Sequence, residues 1–335
     1  MSAGLPHLIK LLSDLFLSAG SVFSLLSLSS ALIISTVWLL ARRRRSRPLR
    51  FKALVRALFP HRIWRHASTR TDIGFLLLNV FATSLLIGWA IVSGSAVSRY
   101  VAGGLATIFG PSQLSFPAWL AAVIVTVAAF LAYDFAYWFD HWLKHNVPFL
   151  WAFHRVHHTA EVLTPITAYR MHPIDSLIFA NICAVVIGAV EGVMRFALGG
   201  AIAAWSLDGT NLIMIAFLYT TIHLQHSHIR IAFTGWTGRL LFSPAHHHIH
   251  HSSDPKHYDC NLGSCLAVWD WMFGTLQLPD PKARLQFGAA GDEDVHSATG
   301  SLIYPFWLAV KPLISNGVWG PRPQRFPNSI KKPAP

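Results

Sequence analysis

The sequence predicts an all-α integral membrane bundle of four to five spans, with a cytosolic helical cap that carries a multi-histidine site for more than one metal ion. Three observations predict it. Hydrophobic residues make up 53% of the 335-residue chain and charged residues only 13%, a balance too apolar for a soluble domain. Several apolar runs approach the roughly 20 helical residues that a bilayer core requires. Fifteen of the nineteen histidines lie between His141 and His257, in dense groups at helical spacing.

Ser21–Ala41 is the first span, and Arg42–Arg45 follows it directly. A cleavable signal peptide carries its charge before the apolar region, so the span is read as retained. Eleven Lys or Arg and no acid lie between Arg42 and Arg70. Beside an apolar span such a block marks a cytoplasmic loop and attracts anionic headgroups. The net charge of +12 is therefore read as a membrane feature, and nucleic acid is not expected as a partner. Phe51–Trp64 mixes apolar and basic residues as an interfacial helix does, with a break at Pro60.

Ile73–Ser93 is the second span and Leu114–Trp138 the third. Ile174–Val190 is shorter and reads as a span or a re-entrant helix. Thr210–Ile222, extended back toward Phe196, is the return leg, and Leu302–Val310 lies in the interface. If Arg42–Arg70 is cytoplasmic, span parity brings both His141–His172 and His223–His251 to the cytoplasmic face. The chain thus divides into residues 1–71 (a span and the basic loop), 72–278 (the membrane-embedded domain) and 279–335 (a polar tail, mobile from Arg322 to Pro335). Cys183, Cys260 and Cys265 are too few and too scattered for a disulfide framework or a zinc ribbon. They fit a reducing side.

Imidazole is the commonest protein metal ligand and suits Fe, Zn, Cu and Ni. His141 and His145 read H-x3-H. His154, His157 and His158 read H-x2-H-H, and so do His247, His250 and His251. Residues three or four apart share a helix face, so each motif aims its rings at one spot. A solvated interfacial cap is the bland alternative for His141 and His145 alone. The surroundings of the next three, LWAFHRVHH, are apolar, whereas a solvated basic helix would carry Lys and Glu.

His226 is a further candidate. His172, His223 and His246 are candidates too, with interfacial or supporting roles as alternatives, and His228 and His248 read as surface or supporting residues. Asp134, Asp140, Glu161, Asp175 and Asp270 are candidates for orienting imidazoles through the far ring N–H, or equally for helix caps and Arg partners. The soluble di-iron pattern of paired Glu-x-x-His motifs is represented only by Glu293–His296, a lone copy in the tail.

The order H-x3-H, H-x2-H-H, a further His, then H-x2-H-H resembles the fatty acid hydroxylase/sterol desaturase superfamily of integral-membrane di-iron oxygenases. RMHP (residues 170–173), SPAHHHIHHS (residues 243–252) and NLGSCLAVWDWMFGT (Asn261–Thr275) add to the resemblance, which runs from about Arg50 to Leu278. It implies a di-metal site of two iron ions on His141, His145, His154, His157, His158, His226, His247, His250 and His251, with Zn able to replace iron in purified material. It also implies O2 as co-substrate, hydroxylation of a membrane lipid (desaturation being the alternative), and a bacterial inner-membrane location.

Electrons would come from a separate reductase or redox carrier, since no dinucleotide fingerprint and no haem or iron–sulfur motif is present. Leu262 departs from the family's pattern by replacing an aromatic. The acyl chain, sterol or carotenoid would reach the site sideways between spans three to five, past Phe135, Trp138, Phe153, Trp269 and Trp271. A membrane metal transporter is the rival class, but its ligands belong near the midplane, not at membrane ends.

Overall fold

The computed structural model describes residues 4–43, 50–112, 114–200, 203–289 and 297–314. Glu293–His296 and Arg322–Pro335 lie outside the described residues. The described residues are mostly helical, with one two-stranded turn pairing Ser206–Leu207 with Thr210–Asn211.

After α1 (Gly4–Phe16) and α2 (Leu25–Ala41), the basic stretch forms α3 (Phe51–Leu58). α4 (Ala67–Leu78) continues through a π-turn at Asn79–Thr83. α5 (Gly94–Phe109) follows a break, and α6 (Ala118–Asn146), α7 (Pro148–His158) and α8 (Pro173–Ala197) come next. α9 (Leu212–Phe217) extends through a second π-turn at Leu218–Ile222. α10 (Pro244–His250), α11 (Val268–Phe273) and α12 (Ala298–Ile314) complete the described chain.

Among the described residues, three helical stretches are long and apolar enough to cross a membrane: Leu85–Phe109, Ala118–Asn146 and Pro173–Ala197. Leu25–Ala41 and Leu212–Gln225 are apolar but shorter. This revises the span boundaries. The expected second span over residues 73–93 is instead broken before Gly94, where Ser93 Oγ accepts from Ala96 N at 3.3 Å and starts a new helix. That helix, rich in Gly and Ser, lies outside every run read from hydropathy, because both residues are weak helix formers. α8 is longer than the run at residues 174–190, since Glu191 and Arg195 end the hydropathy signal without ending the helix. α6 runs past Trp138 and carries His141 and His145 on its last turns.

Small residues set the packing of α5 on α8. A Cβ at Gly188 would lie 2.6 Å from the Gly94 carbonyl oxygen, and one at Gly192 would lie 2.7 Å from that of Ser98. The two helices run in the same direction, with Asn181 bonded to Val92 N at 2.9 Å near one end and Phe196 beside Phe109 at the other. Such small-xxx-small contacts let membrane helices approach closely, where lipid offers no hydrophobic drive.

At the histidine end, Arg170 ties α4 to the loop after α7. It is fully buried and donates to Asp72 Oδ1 at 3.0 Å, Thr159 Oγ1 at 2.7 Å and the Val156 carbonyl at 3.0 Å. Asn79 adds bonds to the carbonyls of Tyr169 and Met171 at 2.8 and 3.0 Å. The stretch at Leu302–Val310 is part of α12, which packs on α7: Ala309 joins Ala152 and Phe153 in a core cluster, and Phe306 meets Phe153 at 5.2 Å.

Gly192→Val places branched carbon against the Ser98 carbonyl and Val101. Overpacking of this kind costs about 1–3 kcal/mol. The thermal midpoint in detergent is expected to fall by several degrees, whereas Gly104→Ala, which meets nothing within 4 Å, changes it little. Equal midpoints for the two variants would show that the α5–α8 contact does not limit stability.

Candidate metal centre

Four segments deliver histidines to one place: the last turns of α6, the second half of α7, the end of the α9 segment at His226, and α10 with His251 at its cap. Two groups result. His141, His145, His154, His158 and His250 form the first, and His157, His226, His247 and His251 the second. Within each group one ligand atom per residue lies within 4.8 Å of all the others. The groups abut, with the rings of His158 and His251 stacked at 4.7 Å.

Ring nitrogens face each other within each group. Nε2 of His226 lies 3.0 Å from that of His157 and 2.8 Å from that of His247, and His251 and His247 meet at 3.0 Å. In the first group His158 Nε2 lies 3.3 Å from His154 Nε2 and 3.1 Å from His250 Nε2. Two nitrogens bound to one ion at about 2.1 Å each stand about 3 Å apart when at right angles.

The outward nitrogens decide what points inward. Nδ1 of His141 donates to the Leu262 carbonyl at 2.8 Å, and that of His250 to the Cys260 carbonyl at 3.0 Å. Nδ1 of His145 meets Asp259 at 3.1 Å, and that of His154 meets Asp175 at 3.3 Å. A neutral imidazole donates from one nitrogen only, so these four rings turn Nε2 lone pairs toward one spot. Nε2 of His141 and of His145 has no hydrogen-bond partner there. Converging buried lone pairs repel, and a cation satisfies them; the donor set fits a metal ion.

Protonation agrees. Burial pushes His154 down to about 4 and His226 down to about 3. It also holds His157, His158, His247, His250 and His251 well below the ordinary histidine range. These rings are neutral at pH 7, as ligation requires.

The segment after α10 explains how the carbonyls of Cys260 and Leu262 are held. Asp270 accepts from Leu262 N at 2.8 Å, Gly263 N at 2.9 Å, Thr275 Oγ1 at 2.6 Å and Trp138 Nε1 at 3.3 Å. Asp134 on α6 takes Cys265 N at 2.9 Å and Trp269 Nε1 at 2.9 Å. Asn261, at φ 55°, bonds the His246 and Gln277 carbonyls through its amide at 3.2 and 2.9 Å. A Cβ on Gly263 would lie 2.8 Å from the Leu266 carbonyl oxygen. The motif is thus a brace that aims two carbonyls at His141 and His250.

The remaining candidates stand outside both groups. His172 caps α8, taking Ile174 N on Nδ1 at 3.1 Å and donating from Nε2 to Leu302 O at 3.1 Å. His246 Nδ1 pairs with Ser243 Oγ at 2.7 Å at the start of α10. His223, at the end of the π-turn, bonds the Leu218 carbonyl. His228 meets the Ala57 carbonyl at 2.7 Å.

Of the five acids considered as orienters, only Asp175 touches a grouped histidine. Asp134 and Asp270 hold backbone, Asp140 pairs with Lys144 at 2.6 Å, and Glu161 lies 3.6 Å from His66. Sequence reasoning missed Asp259 and Lys144, which also binds Asp175 at 2.6 Å, and the two carbonyls, which no side-chain pattern announces.

A cavity of about 240 Å³ opens onto the centre between α6, α8 and the α9 segment. Tyr133, Tyr137, Phe179, Met171 and Met214 line it, and it reaches His141, His154, His157 and His226. The aromatics expected along this access lie elsewhere: Trp138 stacks on Phe273 at 4.3 Å, and Phe153 sits in the α7–α12 core.

Residues 126–275 match the fatty acid hydroxylase family. The chain is 29% identical to alkylglycerol monooxygenase of Xenopus tropicalis over 159 residues, 48% of this chain and 31% of that protein. It is 25% identical to ornithine lipid hydroxylase OlsE of Rhizobium tropici over 252 residues, 71% of this chain and 67% of that protein. It is also 25% identical to Delta(7)-sterol 5(6)-desaturase erg3C of Aspergillus fumigatus over 169 residues, 49% of this chain and 51% of that protein. The chain spans less than a third of the length of the alkylglycerol monooxygenase and about half that of the desaturase. No solved structure matches it.

The lowered histidine values fix a sign for pH. The folded centre excludes protons that the unfolded chain takes up below about pH 6.5. Stability of metal-stripped protein is therefore complete above that value and is lost as pH falls toward about 4 and 3, the values of His154 and His226. Thermal midpoints recorded from neutral pH down to about pH 4 are expected to fall steadily; a flat or rising series would contradict buried neutral rings.

Proposed function

We propose that the chain, whose residues 126–275 match the fatty acid hydroxylase family, is an O2-dependent lipid C–H oxidase. It hydroxylates a membrane lipid, an acyl chain, sterol or related molecule, at a centre of two iron ions. His141, His145, His154, His158 and His250 hold one ion, and His157, His226, His247 and His251 the other. The observation that carries this reading is the opening of both histidine groups onto one largely apolar cavity between three bundle helices. The names of two relatives, a monooxygenase and a lipid hydroxylase, favour hydroxylation over desaturation.

Iron bound there supplies the redox chemistry for splitting O2 and oxidising an unactivated C–H bond, which acid–base side chains lack. Zn would occupy the same imidazoles without that chemistry. The protein's part is position. Tyr133, Phe179, Met171 and Met214 exclude water and hold the lipid chain alongside His141, His157 and His226. Asp175, Asp259 and the carbonyls of Cys260 and Leu262 keep four rings facing inward.

Both groups lie at the end of the bundle where α6 finishes and α8 starts, and the basic block follows α2. These placements support a site on the cytoplasmic face of a bacterial inner membrane, with electrons delivered by a separate donor protein.

Two measurements test the reading. The protein is expressed with a generic reductase system and its lipids are profiled under isotopically labelled O2. One lipid is expected to gain a single labelled oxygen, and His250→Ala is expected to abolish the gain. A lipid losing two hydrogens without label would identify a desaturase, and no lipid change with metal still bound would sink the oxidase. Asp175→Asn is expected to weaken metal retention about 10- to 100-fold, the usual effect of removing a ligand's hydrogen-bond partner, as read by chelator competition. Unchanged retention would remove Asp175 from the support of His154.

A further inference from the structure

The largely apolar cavity turns polar where it meets the histidine centre. Tyr137, Asp140 and His223 all line it, and each sits beside a grouped histidine. Asp140 directly precedes His141, Tyr137 lies one turn before His141 on α6, and His223 lies one turn before His226. The apolar lining of Phe179, Met171 and Met214 makes up the rest of the contrast.

Each of the three keeps a polar atom without a partner among the described residues. Asp140 gives Oδ2 to Lys144 at 2.6 Å, and its Oδ1 is buried without a hydrogen-bond partner. His223 donates from Nδ1 to the Leu218 carbonyl, so its neutral ring carries a lone pair on Nε2, and that atom is also buried without a partner. The Tyr137 ring stands edge-on to Phe179 at 5.8 Å and to His141 at 5.7 Å, and its hydroxyl makes no hydrogen bond among the described residues. The neighbouring polar groups are engaged. Gln225 donates to the Ser264 carbonyl at 2.7 Å, and Lys144 holds both Asp140 and Asp175.

A plain hydrocarbon in this cavity leaves two buried acceptors and one phenol unpaired, which is costly. A hydroxyl both donates and accepts: it can accept from Tyr137 and donate to His223 or Asp140. An ether or ester oxygen only accepts and an ammonium only donates, so each leaves one kind of group unpaired.

Resting on the lipid-oxidase reading above, we propose that the substrate is a lipid bearing a hydroxyl group, seated among Tyr137, Asp140 and His223, and that the C–H bond oxidised lies close to that hydroxyl. The reaction keeps its balance: one atom of O2 enters the C–H bond and the other leaves as water, with two electrons from a separate donor protein and two protons. The product carries two oxygens close together. A long unbranched chain without a hydroxyl is a poor substrate, because a site built to hydrogen-bond a hydroxyl rejects the analogue that lacks it.

Full-length, metal-loaded protein in lipid nanodiscs tests this with three probes of one chain length: hexadecanol, hexadecyl methyl ether and hexadecane. Each competes against tritiated hexadecanol at equal mole fraction in the bilayer. The alcohol is expected to compete about tenfold better than the ether, roughly the effect of one buried hydrogen bond, and the ether better than the alkane. Tyr137→Phe removes the donor and is expected to weaken alcohol and ether alike while sparing the alkane. His223→Phe removes an acceptor and is expected to weaken the alcohol while sparing the ether. A merely structural loss would weaken all three probes together.

Equal competition by the three probes in the wild type, or unchanged alcohol binding in Tyr137→Phe, overturns the proposal. If His223→Phe loses all three probes, Tyr137→Phe decides alone. In lipids profiled under labelled O2, the label is expected close to an existing hydroxyl; label in a lipid that has none overturns the proposal while the oxidase reading stands. A preference for the alcohol with no lipid oxidised supports the hydroxyl site and sinks the oxidase reading instead.

Discussion

The first histidine group depends on one constraint: buried imidazoles hold their lone pairs on a common point when each delivers the opposite N–H to an acceptor equally deep in the protein. A ring without such an acceptor takes its orientation from its neighbours. For His141, His145, His154 and His250 the acceptors are present, as two carbonyls and two carboxylates. Asp175 is in turn held by Lys144, which also binds Asp140. An unpaired buried carboxylate would be costly; here the charges close into a triad beside the rings. The brace at Asn261–Thr275 serves the same end, since a carbonyl is a useful acceptor only if its peptide cannot swing away.

The bundle follows from this requirement. The grouped histidines enter on the end of α6, on α7 and on α10, so these helices must be placed to within the tolerance of a hydrogen bond. Glycines at residues 188 and 192 let α5 come against α8, which fixes α8 and, through its first turn, Asp175. Arg170 fixes the loop between the last grouped histidine of α7 and the start of α8. Its partners Asp72, Ser68, Thr159 and Val156 lie on both sides of that loop. The RMHP stretch therefore supports the centre without joining it: Arg170 is a brace and His172 a helix cap.

Much of the centre was legible in the sequence, because ligand spacing on a helix is a local property. H-x3-H and H-x2-H-H place rings on one face whatever the rest of the fold does, and the nine histidines carried by motif and resemblance are the nine that the fold gathers into two groups. The fold class was legible for the same kind of reason, since hydropathy is read residue by residue. Boundaries were less so. Gly94–Phe109 hides because Gly and Ser depress both hydropathy and helix propensity while enabling the packing that stabilises it. The supports were least legible. The carbonyls of Cys260 and Leu262 have no side-chain signature, and Asp259 becomes relevant only because φ 55° there turns the chain back toward α6.

The two histidine groups are not equivalent, and the difference bears on what each can do. In the first, four outward nitrogens are anchored. In the second, Nδ1 of His157, His247 and His251 is buried without a partner, so nothing outside the group fixes those tautomers. Anchored rings are preorganised: they hold their lone pairs inward before any ion arrives and resist reorientation afterwards. Unanchored rings take their orientation from the ion and from one another. The anchored group is also the one in ring contact with Trp151, while the apolar cavity reaches both groups, at His141 and His154 of the first and His157 and His226 of the second. The apolar cavity therefore meets two rings that are held in place and two that belong to the adaptable group.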